Sequence, residues 1–372
     1  MKVLVTGGAG FVGSHLVDAL LAKGYTVRIL DNLTPQVHGA DQRVPGYLNP
    51  EAEFIQGDIL SVRTVRKALK GVETVVHLAA AVGVSQSMYE IEWYTKNNTL
   101  GGAVLLEEIC SGKNKVAKVV VASSMSIYGE GQYRCDGCGP VAPRLRPLEQ
   151  LREKQWEMRC PSCGSPVRPV PTGEDKPLYP TSIYAITKRD HEEMYLTCCF
   201  SLGIPCVSLR YFNIYGSRQA LSNPYTGVAA IFSSRILNGH SPVIYEDGRQ
   251  MRDFTHIDDI VQATILAIER SEGDFQALNV GTGRPFSVLD VANTLIAKLN
   301  PGLSPQIASQ FRGGDIRHCY GDISRIRTLL GYEPRVRFED GITALTDWVR
   351  EQTAVDSFEK AHKELVQKGL TI

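Results

Sequence analysis

A glycine-rich turn, Gly7-Gly8-Ala9-Gly10-Phe11-Val12-Gly13, follows directly on the apolar run Lys2-Val3-Leu4-Val5-Thr6 and constrains this chain more than any other feature. The run is β-branched and reads as a buried strand, and the residues after the turn carry helical periodicity through Lys23. Strand, glycine turn and helix in that order make the phosphate-cradling part of a βαβ unit. Gly7, Gly10 and Gly13 permit the tight turn, and together with Phe11 and Val12 they bring backbone N–H groups at the helix N-terminus up to a pyrophosphate. A second strand, Thr26 to Leu30, ends at Asp31, where a carboxylate reaches adenosine ribose hydroxyls and repels a 2′-phosphate. NAD rather than NADP is the expected cofactor. Asp31 with Asn32 would otherwise only close a turn; the complete unit favours the cofactor.

The rest of the chain continues the alternation. Further apolar strands are expected at Glu53 to Gln56, Thr74 to Ala79, Lys118 to Ala122 and Cys206 to Tyr211, with helices at Tyr94 to Cys110 and Ile183 to Leu202. This is an α/β chain with a doubly wound parallel sheet of Rossmann type. From Asn213 the pattern turns to short strands, loops and helices, one opened by a capping box at Ser287 and Asp290. The expected organisation is a NAD-binding domain over 1–130, an insert over 131–174, a continuation with the catalytic helix over 175–212, and a smaller C-terminal α/β substrate domain over 213–372. Segments near 252–282 are expected to return to the first domain. With 372 residues the chain can bury a sizeable core, and its 40 basic and 40 acidic residues cancel. No overall field draws nucleic acid or an anionic membrane, so neither is an expected partner. The apolar stretch Val75 to Val84 is too short to span a bilayer and no signal-type segment precedes the first strand, so a cytoplasmic location is expected.

Two further motifs suggest chemistry. Tyrosine, with an ordinary pKa of about 10, is a poor base unless a cation favours its phenolate. Of the 15 tyrosines only Tyr184 has a lysine, Lys188, four positions later, one helical turn along the same face. Lys188 is also placed to reach a cofactor ribose. Ser124, at the end of the strand before it, can hydrogen-bond both a substrate oxygen and the Tyr184 hydroxyl, although a serine at a strand end is also a common turn former. After the glycine fingerprint, these residues describe an enzyme that moves hydride to and from a nicotinamide.

With these motifs in order, the chain resembles the extended short-chain dehydrogenase/reductase family, specifically its nucleotide-sugar epimerases and dehydratases. The likeness runs through Thr6 to Gly13, Asp31 and Asn32, Asp58 and Ile59, His77 to Ala80, Asn98, Ser123 to Gly129, Tyr184 to Lys188 and Arg210 to Gly216. It implies that Asp58 and Ile59 flank the adenine, that Ala79, Ala80 and Asn98 belong to the cofactor site, and that Asn213 holds the sugar diphosphate. Ser126 and Gln219 join the substrate site by the same likeness. Segments Arg252 to Asp258 and Arg312 to Asp315 look like the family's nucleotide-binding segments, with Arg252 and Arg312 on phosphates and Asp315 on the ribose. Guanidinium forks suit diphosphate oxygens; a surface salt bridge is the alternative for either arginine alone. The family's 4,6-dehydratases carry an Asp-Glu pair after the catalytic serine or threonine; here Met125 and Ser126 stand there. Methionine neither gives nor takes a proton, so 4-epimerisation, which needs only reversible hydride transfer and one acid/base, is the better fit. NAD should then remain tightly bound and be regenerated in each cycle. Relatives pair through helices matching Tyr94 to Cys110 and Ile183 to Leu202, which implies a homodimer.

The departure from the family pattern is the segment between Ser124 and Tyr184. Cys135 and Cys138, then Cys160 and Cys163, form two C-x-x-C knuckles whose spacing suits four thiolates around one zinc. A closed four-ligand shell makes the metal structural; thiol redox chemistry is the alternative. Cys110, Cys198, Cys199, Cys206 and Cys319 lack ligand spacing and read as packing residues. Arg144, Arg146, Arg152 and Lys154 interleave with Glu149, Glu153 and Glu157, which reads as a solvated mixed-charge helix. Lid or dimer element are both open roles for this insert. With the segment Gln219 to Val228, it looks most like the branch of dTDP-L-rhamnose 4-epimerases, which interconvert dTDP-L-rhamnose and dTDP-6-deoxy-L-talose. UDP-hexose 4-epimerases, of the glucose/galactose or uronate type, are the nearest alternative. A binding protein using the zinc ribbon for RNA or a partner is a third, against which the intact Ser124, Tyr184 and Lys188 argue.

Overall fold

A computed structural model describes residues 1–371 of the chain. Seven parallel strands form its large sheet, in the spatial order Gln276–Val280, Cys206–Tyr211, Lys118–Ser124, Thr74–His77, Lys2–Thr6, Thr26–Asp31, Glu53–Gln56. Chain order reverses between Lys2–Thr6 and Thr74–His77, which opens a crevice beyond their carboxyl ends. Val3 and Val5 face one apolar cluster with helices Phe11–Ala22 and Ile257–Glu269; Leu4 faces another with Val62–Leu69, Gly101–Cys110 and Ile183–Leu202. Burial on both faces explains why these strands read as continuous apolar runs instead of alternating ones. Each such side chain contributes roughly 1.5–3 kcal/mol relative to an exposed one.

Two expected elements change shape where they meet the crevice. The strand expected through Ala79 stops at His77, because Leu78 to Ala81 peel away and line the opening. The helix expected over Tyr94 to Cys110 starts at Ile91 and contains a π turn over Thr95–Leu100 before continuing as Gly101–Cys110. Within that turn the Asn98 amide accepts from the Ala81 N–H at 2.7 Å and donates to the Ala81 carbonyl at 3.1 Å. Such a one-residue bulge leaves no trace in hydrophobic periodicity.

Beyond Asn213 the chain builds a smaller mixed sheet from Asn213–Tyr215, Met251–His256 and Pro285–Ser287, with His318–Cys319 paired to Met251–His256. Its own core gathers Tyr215, Phe254, Leu295, Phe338 and Ile342. Both bonds of the Ser287–Asp290 capping box are present. Residues of Ile257–Glu269 and Gln276–Val280 return to the large sheet. Between Ser124 and Tyr184, Gln132–Cys135 pairs antiparallel with Gly139–Val141 and Arg168–Val170. The mixed-charge helix expected there is corrected: only Leu148–Arg152 is helical, started by Pro147 and ended where Lys154 turns to φ 57°. Arg146 is not solvated but buried. No helix among the described residues is long and apolar enough to cross a membrane.

Candidate active site

The crevice widens into a cavity of about 640 Å3 between the two sheets. Gly7, Gly10, Phe11, Val12, Gly13, Asp31, Asn32, Asp58, Ile59, Ala79 and Ala80 line it from the large sheet; Ser124, Ser126, Tyr184 and Lys188 line its middle. Asn213, Gln219, Arg252, Arg312 and Asp315 line it from the smaller sheet. Asn98, expected at the cofactor, stands one layer behind the wall: it is fully buried, and its amide is taken up by Ala81 and Thr187.

The glycine turn is packed backbone on backbone. Gly7 has φ +70°, and a Cβ there would lie 2.8 Å from the Ala79 nitrogen; a Cβ on Gly13 would lie 2.2 Å from the Gly7 carbonyl oxygen. Asp31 both closes the turn and lines the cavity, accepting from the Ala9 N–H at 3.0 Å and the Leu33 N–H at 2.9 Å. Asn32 donates to Asp58 at 3.2 Å, which fixes the adjoining Asp58–Ile59 edge. These residues fit a dinucleotide on two observations. The cradle has room for backbone only, and the buried Ser123 Oγ, Asn213 Oδ1 and Gln219 Oε1, all in lining residues, have no hydrogen-bond partner among the described residues. Buried polar atoms left so are uncommon, and a ligand rich in hydroxyls and phosphates supplies what they lack.

Ser182 caps the helix Ile183–Leu202 by accepting from the Ala185 N–H, which sets Tyr184 and Lys188 on one face. Burial pushes the Tyr184 phenol up to about 12, with the neighbouring Ser124 hydroxyl acting the other way. Burial also pulls Lys188 down to about 8, and its Nζ donates to the Ala122 carbonyl at 3.0 Å. In the chain alone, burial dominates both groups and weighs against the phenolate. A bound cationic ring beside Tyr184 would shift the balance back. Ser126 donates to Ser124 Oγ through its N–H at 3.1 Å and its hydroxyl at 2.9 Å, leaving the Ser124 proton for Tyr184 or a ligand. Met125 is buried with Tyr128, Phe212 and Cys319.

Both arginines already have partners. Arg312 donates to Asp315 at 2.8 Å and lies 4.8 Å over the Tyr245 ring; Arg252 donates to the Met251, Ile316 and Arg317 carbonyls. A wall that sequence reasoning missed comes from helix Phe358–Gln367, whose Phe358, Ala361, His362 and Leu365 line the cavity. His362 Nδ1 sits 2.8 Å from the Tyr245 hydroxyl, and Glu364 accepts from Tyr225 at 2.7 Å and Tyr89 at 3.1 Å. Its only signal in sequence was an amphipathic pattern.

In the insert, the sulfurs of Cys135, Cys138, Cys160 and Cys163 all lie within 4.8 Å of one another, and those of Cys135 and Cys163 are 3.6 Å apart. Four sulfurs at about 2.3 Å from a tetrahedral zinc would be about 3.8 Å apart, so the cluster fits that ion.

A sequence profile of the NAD dependent epimerase/dehydratase family matches residues 3–146, and one described as GDP-mannose 4,6 dehydratase matches residues 164–345. The chain is 32% identical over 353 residues to a dTDP-L-rhamnose 4-epimerase of Burkholderia thailandensis, covering 94% of this chain and 95% of that one. It superposes on the UDP-glucose 4-epimerase of Thermotoga maritima, solved with UDP-glucose, with TM-score 0.77 and 31% identity, covering 94% and 99% of the two chains. A UDP-glucuronic acid 4-epimerase of Bacillus cereus, solved with UDP-glucuronic acid and NAD, gives TM-score 0.76 at 29% identity, covering 94% and 99%.

Proposed function

The chain belongs to the NAD-dependent epimerase/dehydratase family as a nucleotide-sugar epimerase, and from that premise we propose that it interconverts dTDP-L-rhamnose and dTDP-6-deoxy-L-talose by inverting C4. The observation that carries this choice of sugar is the end-to-end similarity to the Burkholderia enzyme. UDP-hexose or UDP-uronate 4-epimerisation is the second reading, favoured by the solved UDP-sugar epimerases of similar identity.

Bound across the glycine turn, NAD supplies the acceptor and donor for the C4 hydrogen. Tyr184 takes the proton from the C4 hydroxyl as a 4-keto sugar forms and returns it to the same oxygen after the sugar has turned its other face. Ser124 donates a hydrogen bond to that oxygen, and Lys188 supports the ionised Tyr184. Asn213, Gln219, Arg252 and Arg312 hold the diphosphate side while the sugar turns, with Asp315 on the nucleotide ribose. Met125 stands where a dehydratase needs a proton-transfer group, so water is not eliminated across C5 and C6. The four cysteines hold a structural zinc, since four protein ligands leave no open position for chemistry. We place the enzyme in the cytoplasm as a homodimer joined through the helices that expose Ile91, Leu100 and Ile186.

Proton NMR of the purified protein, without added NAD, tests the assignment with dTDP-L-rhamnose and UDP-glucose in separate tubes. New anomeric signals with dTDP-L-rhamnose alone are the expected result. Change with UDP-glucose alone moves the assignment to the second reading, and change with neither after NAD is supplied overturns both.

A further inference from the structure

The insert that carries the four cysteines is joined to the substrate half by two buried arginines and their carboxylate partners. Arg146 is 5% exposed and Glu246 is 2% exposed. Arg146 Nη1 and Nη2 donate to the two Glu246 carboxylate oxygens, each at 2.9 Å. Nη1 also donates to the Trp156 carbonyl at 2.8 Å, and Nη2 to the Asp315 carbonyl at 3.2 Å. Arg317, fully buried, donates to Glu157 of the insert and to Glu246 and Asp247. Glu130, immediately before the insert, accepts from the backbone N–H groups of Arg317 at 2.8 Å and His318 at 2.7 Å. The Met251 N–H points at His318 Nδ1, so the ring proton sits on Nε2 and goes to Glu157 at 3.0 Å.

These contacts end on the substrate wall without entering it. Glu246 follows Tyr245, whose ring lies under the Arg312 guanidinium, and the Asp315 carbonyl belongs to the loop that carries Arg312. Arg146 does not line the cavity. It grips both segments that do, and a bidentate arginine–carboxylate pair fixes orientation as well as distance. We infer that Arg146 is a positioning residue for the nucleotide diphosphate: its fork on Glu246 and the Asp315 carbonyl sets the spacing of Tyr245 and Arg312, and the cysteine-braced insert holds that fork in place. The inference rests on the reading that this end of the cavity takes the nucleotide.

Binding of dTDP and of UDP is measured by calorimetry on the NAD-loaded protein, beside KM and kcat. Arg146→Met with Glu246→Gln removes both charges of this pair, and Arg317 keeps Glu157 and Asp247 as partners. It should raise Kd for the nucleotide, and KM with it, about tenfold or more, while kcat stays within about threefold and bound NAD is unchanged. Arg146→Lys should recover only part of the affinity, because an ammonium lacks the fork. Withdrawing metal from the unaltered protein with a chelator should weaken nucleotide binding in the same direction. A folded double variant that binds like the unaltered protein overturns the inference, as does a fall in kcat at constant KM. If the variants do not fold, protein whose loss of zinc is verified by elemental analysis decides, and an unchanged Kd there is equally fatal. Unaltered protein that binds neither dTDP nor UDP defeats the nucleotide-sugar assignment as well, so the two failures are told apart.

Discussion

Around the glycine turn the cavity wall is backbone packed on backbone, with 2.2 Å between a would-be Gly13 Cβ and the Gly7 carbonyl, whereas the opposite wall is backed by the buried pair Arg146 and Glu246 and by the buried Arg317 guanidinium, which meets Glu246, Asp247 and the more exposed Glu157. The first wall buries one carboxylate, Asp31, met by the Ala9 and Leu33 N–H groups, and otherwise acts through shape. The second desolvates several charges, which hold only while each has its partners. A substitution at the cradle should therefore act on the cofactor, and one in the network should act on stability and on the substrate.

Four outcomes would break or sharpen that contrast. Tyr184→Phe, between the two walls, should lower turnover roughly 10^3-fold with NAD still bound, as steady-state kinetics and cofactor extraction would show. Turnover near that of the unaltered protein would remove the catalytic assignment. Glu246→Ala should leave Arg146 and Arg317 short of a buried partner and destabilise the fold by about 3–5 kcal/mol in urea unfolding. Gly13→Ala should lose most bound NAD while costing less stability, about 1–3 kcal/mol, because the turn must shift to admit the methyl. If the purified variant keeps full NAD, the cradle is looser than this packing implies.

The smallest effect lies at the exposed end of the network. The hydrogen bond from His318, and then that from Arg317, hold the Glu157 carboxyl at about 2, below its ordinary 4.5, against opposing burial. A carboxyl lowered on folding contributes stability above its unfolded pKa and loses it as pH falls, here between about 4.5 and 2. The Glu157 side chain is 60% exposed, so solvent screening limits the effect to about 1 kcal/mol or less. Thermal unfolding of Glu157→Gln against the unaltered protein should show a difference at pH 6 that shrinks towards pH 3. A difference that grows on acidification would contradict the pairing.

The same contrast explains what the sequence revealed. Gly7 to Gly13 and the Tyr184–Lys188 pair are local patterns, and the doubly wound sheet follows from apolar runs buried on both faces. The four cysteines come together because two short knuckles need only one strand pairing between them. Nothing local marks Arg146, whose partner Glu246 is 100 residues away, or Glu130, whose partner Arg317 is 187 away. By pattern Arg146 belonged to a solvated helix, and tertiary contacts overrode that pattern. The π turn that sets Asn98 against Ala81 and the His362 wall were hidden for the same reason. Each depends on a segment that arrives later in the chain or on a bulge without periodicity.

The most direct test of the central claim uses dTDP-L-rhamnose carrying deuterium at C4, incubated with the purified enzyme in ordinary water and followed by NMR and mass spectrometry. Reversible oxidation at C4 inside a closed site predicts an epimerised product that keeps its deuterium at C4, with none lost to solvent. A C4-inverted product with hydrogen in place of deuterium would mean proton exchange with solvent and would contradict the account.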